Sequence, residues 1–473
     1  MQVVIFTCIS GLLFQRAIGA YQIAHFLRKN GFTVQVVDFT DHFSYEELLK
    51  VTEKYISENT LAVGISTTFY VESKINWGYS SGLDDKFYLP KLPDNLNNIL
   101  INIKEKYQKV KIVLGGSKAA STDLPIVDKI INGYAEQEFL EYLQNIQNKQ
   151  KIGNLYRQRY FFNIDTLDHK FAENDYILEK ETIPIEISRG CIFKCKFCAF
   201  PLNGKSKYDY IRNVDEIKDE MIYNYEKYKI TNYFFSDDTF NDSMFKVEKL
   251  YNAISSLPFR IKFTTYLRLD LLFRYPMQIK MLKEMGLATA FFGIESLNQK
   301  TASCIGKGMK IEKAKEFLLD LYTNYWNKDI PITCSFIIGL PYESIPSVTN
   351  TYEWIKKTGL SSMFFPLSIT NKAHYKSEFD NNYEKYGYIY DEGTGYWSNN
   401  YMTNLQAIEL ADLFNNDLMR SNDRPSGWFL MGLLNNGYTY DEAKNIKVKD
   451  LHIKRIMRAR LNNINYYKKM MLG

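Results

Sequence analysis

The chain contains 473 residues, of which 45% are hydrophobic and 24% are charged. This composition excludes a disordered protein, and a domain size of about 150 residues predicts three domains, or two if one of them is a barrel. Lysine and arginine number 59 against 54 aspartates and glutamates, and the net charge of +5 is too small to indicate nucleic-acid binding by itself.

The six cysteines are too few for a disulfide scaffold and are unevenly placed. Cys8, Cys304 and Cys334 stand alone, whereas the other three lie within residues 191–198. No apolar run reaches the roughly 18 residues that a membrane span needs. The N-terminal MQVVIFTC has neither the basic region nor the cleavage site of a signal peptide. We therefore expect a reducing, cytoplasmic setting.

Residues 1–145 alternate strand-like apolar runs with amphipathic helical runs. The predicted strands are 3–7, 33–38, 61–66 and 111–114. A helical pattern between the first two ends at Asn30-Gly31. This alternation predicts an α/β domain with a doubly wound, Rossmann-like parallel sheet. Residues 70–95 read as a long loop or insertion, and the polar segment 146–180 as a linker.

Residues 181–368 continue the alternation with a longer period. The predicted strands are 183–188, 231–236, 260–267, 289–294, 332–338 and 361–367, with helices near 214–229, 243–256, 276–285, 311–326 and 346–358. This order predicts a partial (β/α)6 TIM-like barrel, in which functional groups gather on the loops after the strands.

Residues 369–473 form a third, mainly helical region. The segment up to residue 401 lacks periodicity, and Thr403 can cap a helix that runs to residue 421. A basic helical tail closes the chain. We consider this region a candidate substrate cap, with Tyr396 and Trp397 as candidate substrate contacts, or a region whose aromatic residues serve in packing.

The cysteine cluster directly follows the first predicted barrel strand, in the sequence RGCIFKCKFC of residues 189–198. Three thiolates at spacings of four and three can bind three irons of a cubane [4Fe–4S] cluster, and no fourth cysteine lies nearby. The fourth iron would then stay open to an outside ligand. Zinc is disfavoured because it needs four ligands and neither a second cysteine pair nor a nearby histidine exists. Three unrelated buried cysteines are the remaining alternative.

The CxxxCxxC spacing, with Phe197 before the last cysteine and a barrel strand in front, resembles the radical S-adenosylmethionine (radical SAM) enzymes. In that family the open iron chelates the amino and carboxylate groups of SAM. An electron from the reduced cluster then cleaves SAM to methionine and a 5′-deoxyadenosyl radical. The resemblance implies that Cys191, Cys195 and Cys198 ligate the cluster and that Phe197 contacts SAM.

Further family motifs follow the later predicted strands. Asp237 and Asp238 stand where many members carry a Gly-Gly-Glu run that receives the SAM amino group, although the glycines are absent here. Each motif alone is also compatible with a helix cap, a turn or a surface charge, but their order after consecutive strands favours the family. The resemblance implies these other SAM contacts: Arg268 with the carboxylate, Glu295 with the ribose, and Gly339 and Leu340 with adenine.

A doubly wound domain ahead of the barrel resembles the cobalamin (B12)-binding branch of this family. Residues 16–37, the Gly115-Gly116 turn and residues 133–138 carry the likeness. Cobalamin is then expected at the carboxyl ends of the strands, near the switch point. The implied contacts are Ile9, Ser10, Gly11, Ser66, Thr67, Gly115, Gly116 and Ser117. No D-x-H-x-x-G, the usual source of a histidine ligand to cobalt, occurs in the chain.

Two other interpretations of this domain stay open. It could be a degenerate relative that has lost cobalamin, or a nucleotide-binding domain. The second is disfavoured because GxGxxG is absent and Gly204-Lys205-Ser206 lacks the preceding glycine of a P-loop. A methylthiotransferase is also disfavoured because the domain has only Cys8.

The resemblance therefore implies a radical SAM enzyme. If the enzyme binds cobalamin, we expect it to be a methyltransferase that acts on an unreactive carbon. Without cobalamin, a rearrangement or oxidation is expected, and a non-catalytic iron–sulfur sensor is the alternative from another class. A reductant such as flavodoxin or ferredoxin is implied, together with a small-molecule or peptide substrate and no membrane partner. The basic tail leaves nucleic acid open as a partner.

Overall fold

The computed structural model describes residues 1–9, 13–68, 92–116, 119, 124–150, 156–159, 162–199, 210–369, 376–391, 394–421, 427–447 and 453–473. Two six-stranded parallel sheets follow one another along the chain, and a mainly helical region completes it. The predicted fold class is confirmed.

The first sheet alternates strands and helices, as its apolar periodicity predicts. Its strands are β1 (Val3–Phe6), β2 (Val34–Val37), β3 (Ala62–Ser66), β4 (Lys111–Gly115), β5 (Lys129–Gly133) and β6 (Tyr156–Arg159). Its helices are α1 (Ile18–Lys29), α2 (Tyr45–Tyr55), α3 (Asp94–Lys106) and α4 (Glu136–Gln147). The first strands are buried along their whole length, as a parallel sheet covered by helices requires.

The strand order β2-β1-β3-β4-β5-β6 reverses direction between β1 and β3. Such a reversal opens a crevice at the carboxyl ends of the strands. The sequence patterns miss β5 and β6, and β6 lies inside the segment 146–180 that they predict as a linker. Most of the predicted loop at 70–95 lies outside the described residues.

The two faces of the first sheet bury different partners. Val4 and Phe6 point into a core shared with α2 and α3, whereas Val3 and Ile5 point into a core shared with α1 and α4. The second of these cores continues into the strands of the barrel. The first sheet and the barrel therefore share one hydrophobic core.

The second sheet is the predicted partial barrel. Its strands, paired in sequence order, are β7 (Ile183–Glu186), β8 (Asn232–Ser236), β9 (Lys262–Leu267), β10 (Leu287–Glu295), β11 (Ile332–Ile338) and β12 (Ser361–Pro366). Its helices are α5 (Val214–Tyr228), α6 (Met244–Ser255), α7 (Leu269–Arg274), α8 (Met277–Met285), α9 (Gln299–Ile305), α10 (Ile311–Asp320) and α11 (Ile345–Thr358). The short helices α7 and α9 are not predicted by the sequence patterns.

The third region packs against both sheets. Its elements are α12 (Glu378–Asn382), β13 (Ile389–Tyr390), β14 (Trp397–Ser398), α13 (Asn404–Ser421), α14 (Gly427–Leu434), α15 (Tyr440–Asn445) and α16 (Ile453–Leu472). Thr403 caps α13 as predicted, since its Oγ1 accepts from the N–H of Gln406 at 3.3 Å. None of the helices in the described ranges is both long and apolar enough to cross a bilayer.

The basic tail forms α16, which returns to the first sheet. The hydroxyl of Tyr467 is buried and accepts from the N–H of Asp38 at 2.9 Å. Arg460 is also buried and donates to the carbonyl of Leu13 at 3.2 Å. These residues of the tail therefore complete the N-terminal domain.

A buried ion pair ties the first sheet to the segment that enters the barrel. Arg16 Nε and Nη2 donate to the two carboxylate oxygens of Glu181 at 2.6 and 3.0 Å, and both side chains are fully buried. Burial opposes the charge on Arg16, but Glu181 outweighs it and the pKa of the guanidinium is raised. The pair thus keeps both charges inside the protein.

Replacing Glu181 by glutamine should lower the free energy of unfolding by about 3–5 kcal/mol, because it leaves a buried guanidinium without its counter-charge. Chemical denaturation measures this loss. The control is Lys29→Ala, which removes an exposed pair with Asp168 and should cost less than about 1 kcal/mol. Equal losses in the two variants would contradict the assignment.

Candidate active site

The cysteine loop lies at the carboxyl end of β7, where barrel architecture places functional groups. Cys191, Cys195 and Cys198 are each partly exposed, and the N–H of Cys198 donates to the carbonyl of Cys195 at 3.0 Å. The backbone of Lys196 bonds to Ile305 at the end of α9 and to Phe379 in α12. The loop is therefore anchored to both the barrel and the third region.

The sulfur atoms of Cys191 and Cys195 have polar neighbours that follow the next two strands. Cys191 Sγ lies 3.2 Å from Thr239 Oγ1, and Cys195 Sγ accepts from Arg268 Nη1 at 3.6 Å. Burial raises the pKa of the Cys191 thiol, and the hydrogen bond with Thr239 opposes this rise. Across the described ranges, no three His, Cys, Asp or Glu side chains are already grouped to hold a metal ion. The loop supplies three sulfur donors whose side chains must turn toward one point to share a cluster.

The two aspartates after β8 have different surroundings. Asp237 is fully buried and lies 2.7 Å from Nζ of Lys246, which is also buried and pairs with Asp242 at 3.2 Å. Asp238 is exposed and accepts the N–H of Gly190 at 2.9 Å. Asp237 therefore belongs to a buried charge cluster beside the cysteine loop, whereas the carboxylate of Asp238 is accessible to a ligand.

Arg268 contacts both the cysteine loop and a neighbouring carboxylate. Its Nε and Nη2 donate to Asp270 at 3.0 and 2.8 Å, and its guanidinium carbon lies 3.9 Å from the ring centre of Phe193. The remaining nitrogen, Nη1, faces Cys195. A ligand carboxylate would therefore have to displace Asp270 to gain a bidentate pair with Arg268.

Glu295 ends β10 in the left-handed backbone region, with φ at 72°. Ser335 donates to Glu295 Oε2 at 3.4 Å, and Lys307 Nζ lies 3.6 Å from Oε1. Burial raises the pKa of Glu295, and Lys307 and Ser335 oppose the rise. Lys307 also donates to the carbonyl of Gly293 and lies 5.8 Å from the ring centre of Phe197. Lys307, which no sequence motif singles out, thus connects two of the predicted SAM contacts.

Gly339 forms a turn against the third region that only glycine adopts without strain. Its φ is +102°, and a Cβ at this position would lie 2.3 Å from the indole of Trp397. Tyr388 donates its hydroxyl to the carbonyl of Gly339 at 2.6 Å, and Leu340 is fully buried. Trp397 is 1% exposed and packs on this turn, whereas Tyr396, beside it, is partly exposed. Of the two tentative substrate contacts, only Tyr396 has accessible surface to offer.

A cavity of about 300 Å³ lies at the carboxyl edge of the first sheet, where the strand order reverses. Thr67 is buried and donates its hydroxyl to the carbonyl of Gly115 at 2.9 Å, so it joins β3 to β4. Of the predicted cobalamin contacts, the cavity is lined by Ser66, Gly115 and Gly116 but not by Thr67 or Ile9. Ser10, Gly11 and Ser117 lie outside the described residues.

Residues 185–355 match the model of the Radical SAM superfamily. The match extends from β7 to α11, so this part of the chain is a radical SAM domain. A sequence relative is an uncharacterized methyltransferase of Pyrococcus horikoshii, 22% identical over 71% of this chain and 72% of its own. Another is bacteriochlorophyllide d C-12(1)-methyltransferase of Chlorobaculum tepidum, 26% identical over 42% of this chain and 43% of its own.

The fold resembles two solved radical SAM proteins. One is the methyltransferase TsrM of Kitasatospora setae, solved with cobalamin and a [4Fe-4S] cluster, at a TM-score of 0.64 and 14% identity over 98% of this chain and all of that one. The other is the cobalamin-dependent enzyme OxsB, at a TM-score of 0.53 and 13% identity over 82% of this chain and 56% of that one. The two likenesses support the shared order of sheet, barrel and helical region.

Glu343 joins the loops that follow β10 and β11 of the radical SAM domain. It is buried and accepts a hydrogen bond from the hydroxyl of Ser296. Burial raises the pKa of Glu343 to about 8, although the bond from Ser296 opposes the rise. The carboxyl is therefore protonated at neutral pH. The sequence does not predict this protonation, because Glu343 belongs to none of the motifs.

Changing Gly339 to alanine should destabilise the protein in two ways. The positive φ costs about 1–2 kcal/mol, and displacement of Trp397 costs about 1–3 kcal/mol more. The matched control is Gly359→Ala, which also has a positive φ but no atom within 4 Å of the added Cβ. Denaturant unfolding should separate the two variants, and equal losses would show that Trp397 does not constrain the turn.

Changing Glu343 to glutamine should make stability less dependent on pH. The folded protein holds a proton that the unfolded chain releases, so native stability falls as pH rises from 4.5 toward about 8. The variant keeps an acceptor for Ser296 without this loss. Thermal unfolding should give the variant a higher midpoint than the native protein at pH 9, by about 2 °C or more, and no such gain at pH 5. A constant difference at both pH values would contradict a protonated carboxyl.

Proposed function

We propose that this radical SAM enzyme is a cobalamin-dependent methyltransferase that acts on an unreactive carbon. The observation that carries the proposal is the position of Arg189. This residue lines the cavity of the first sheet and stands two positions before Cys191, the first cysteine of the loop. A ligand in the cavity and a cluster on the loop would therefore share one wall.

Cys191, Cys195 and Cys198 would hold a [4Fe–4S] cluster, which when bound supplies one electron for the reductive cleavage of SAM. The accessible Asp238 is suited to receive the SAM amino group. Glu295, whose carboxylate lies 3.6 Å from Nζ of Lys307, would accept hydrogen bonds from the ribose hydroxyls. Gly339 and Leu340 are both buried, so they would shape the adenine side of the site rather than contact adenine, and the buried Trp397 beside them keeps water from that side.

The cavity fits part of a large cofactor. Its volume lies at the lower end of the range for ligand pockets, about 300–1,000 Å³, and apolar side chains such as Ile5 and Val113 line it beside the glycines. The described wall contains no histidine, which agrees with the missing D-x-H-x-x-G. Cobalamin, when bound, would supply the methyl group. The names of the relatives support methyl transfer, and flavodoxin or ferredoxin is the class of electron donor required.

Two variants with crossed effects test the proposal. After anaerobic reconstitution, Cys195→Ala should lose cluster absorbance and 5′-deoxyadenosine formation but still bind hydroxocobalamin. Gly115→Leu should keep the cluster and fail to retain hydroxocobalamin, because a Cβ at Gly115 meets no atom within 4 Å and the side chain can fill the cavity. Iron content, absorption spectra and product analysis measure these outcomes.

The control is Cys304→Ala, outside the cysteine loop, which should retain both cofactors. An intact reduced cluster that forms no 5′-deoxyadenosine would overturn the enzymatic proposal in favour of a sensor. A native chain that cleaves SAM but retains no hydroxocobalamin would overturn the cobalamin part and leave a degenerate domain.

A further inference from the structure

Arg189 is a largely buried cation, with 10% of its side chain exposed, and it pairs with carboxylates of both domains. Its Nη2 lies 2.5 Å from Glu136 Oε1, at the start of α4, and its Nε lies 2.6 Å from Glu186 Oε1, at the end of β7. The rings of Tyr134 and Phe162 flank the guanidinium at 5.1 and 5.4 Å. Burial opposes the charge, but the two carboxylates outweigh it and raise the pKa of Arg189. The charge on Arg189 is thus held from both domains at once.

All three charged groups of this cluster also line the cavity of the first sheet. Glu186 accepts a further hydrogen bond from Gln22 of α1 at 2.8 Å, and Gln22 lines the cavity as well. A ligand that fills the cavity therefore contacts the charged side chains of Arg189, Glu136 and Glu186. Because removing one partner of a buried pair leaves an uncompensated charge, these three charged side chains resist separation.

The backbone of Arg189 leads directly into the cysteine loop. Its N–H donates to the carbonyl of Tyr210 at 2.8 Å, and the next N–H, from Gly190, donates to Asp238 at 2.9 Å. Cys191 follows at once. A displacement of the Arg189 side chain therefore reaches the first cysteine across a single residue that is fixed by hydrogen bonds.

We infer that Arg189 and Glu136 are positioning residues that couple the cavity to the cysteine loop, so that a cofactor in the cavity stabilises the loop in its cluster-binding form. The inference rests on the proposed function, since it takes cobalamin as the cavity ligand and the [4Fe–4S] cluster as the group on the loop. Neither residue needs to contact SAM or substrate.

The competing explanation is a simple tie between domains, and the chain offers a matched example. Arg28 of α1 forms two hydrogen bonds of 2.8 Å with Asp175, in the segment between the sheets. Asp175 is fully buried, and neither residue lines the cavity. Asp175→Asn therefore removes one carboxylate charge from an interdomain pair without touching the cavity.

The test compares the rate at which a chelator removes iron from the reconstituted full-length protein, with and without saturating hydroxocobalamin. In the native protein, cobalamin should slow iron loss by about fivefold or more, the lower end of coupling between two sites. Glu136→Gln should abolish this protection. Arg189→Lys is the second variant, and it should abolish the protection as well. Asp175→Asn should retain it, even if its iron loss without cobalamin is faster.

The ratio of the two rates separates coupling from stability, because a purely structural tie changes both rates together. Equal protection in Glu136→Gln, Arg189→Lys and native protein would overturn the inference while cobalamin binding stands. Absence of protection in a native protein that binds both cofactors would overturn it as well. A native protein that retains no cobalamin would instead refute the proposed function and the inference with it.

Discussion

The site depends on the burial of one cation between two domains. Burial of the Arg189 guanidinium is costly unless carboxylates pair with it, and one comes from each side: Glu136 from the first domain and Glu186 from the barrel. The cavity and the cysteine loop are adjacent because this pairing draws the edge of the first sheet against the start of the barrel. The shared hydrophobic core supplies the packing, and the charges fix the position.

The third region packs at the same carboxyl end of the barrel strands, toward the opposite edge of the sheet. Gly339 can adopt its positive φ only because it lacks a side chain, and Trp397 occupies the space that a Cβ would need. The indole is itself fixed by a hydrogen bond to the carbonyl of Leu367, at the end of the last barrel strand. A motif that is part of the barrel in sequence is therefore shaped by a residue nearly sixty positions later. The third region therefore shapes the turn that follows β11.

The sequence predicts the repeating elements well because periodicity reflects burial. The six barrel strands and the position of the cysteine loop follow from apolar spacing and are confirmed. What periodicity does not contain is the choice of partner for each polar group. Asp270 forms a bidentate ion pair with Arg268. Lys246 pairs with Asp237, and Lys307 pairs with Glu295. These partners come from neighbouring turns and strands, so only the folded chain brings them together.

The same limit explains the strands that the patterns miss. β5 carries a lysine and an asparagine among its five residues, and both are buried. Lys129 pairs with Glu138 of α4 at 3.2 Å, and α4 is the helix that begins with Glu136. Lys129, which interrupts the hydrophobic pattern of β5, thus pairs with the same helix that carries Glu136, the partner of Arg189. β5 therefore departs from simple periodicity at a place where the first domain buries charge.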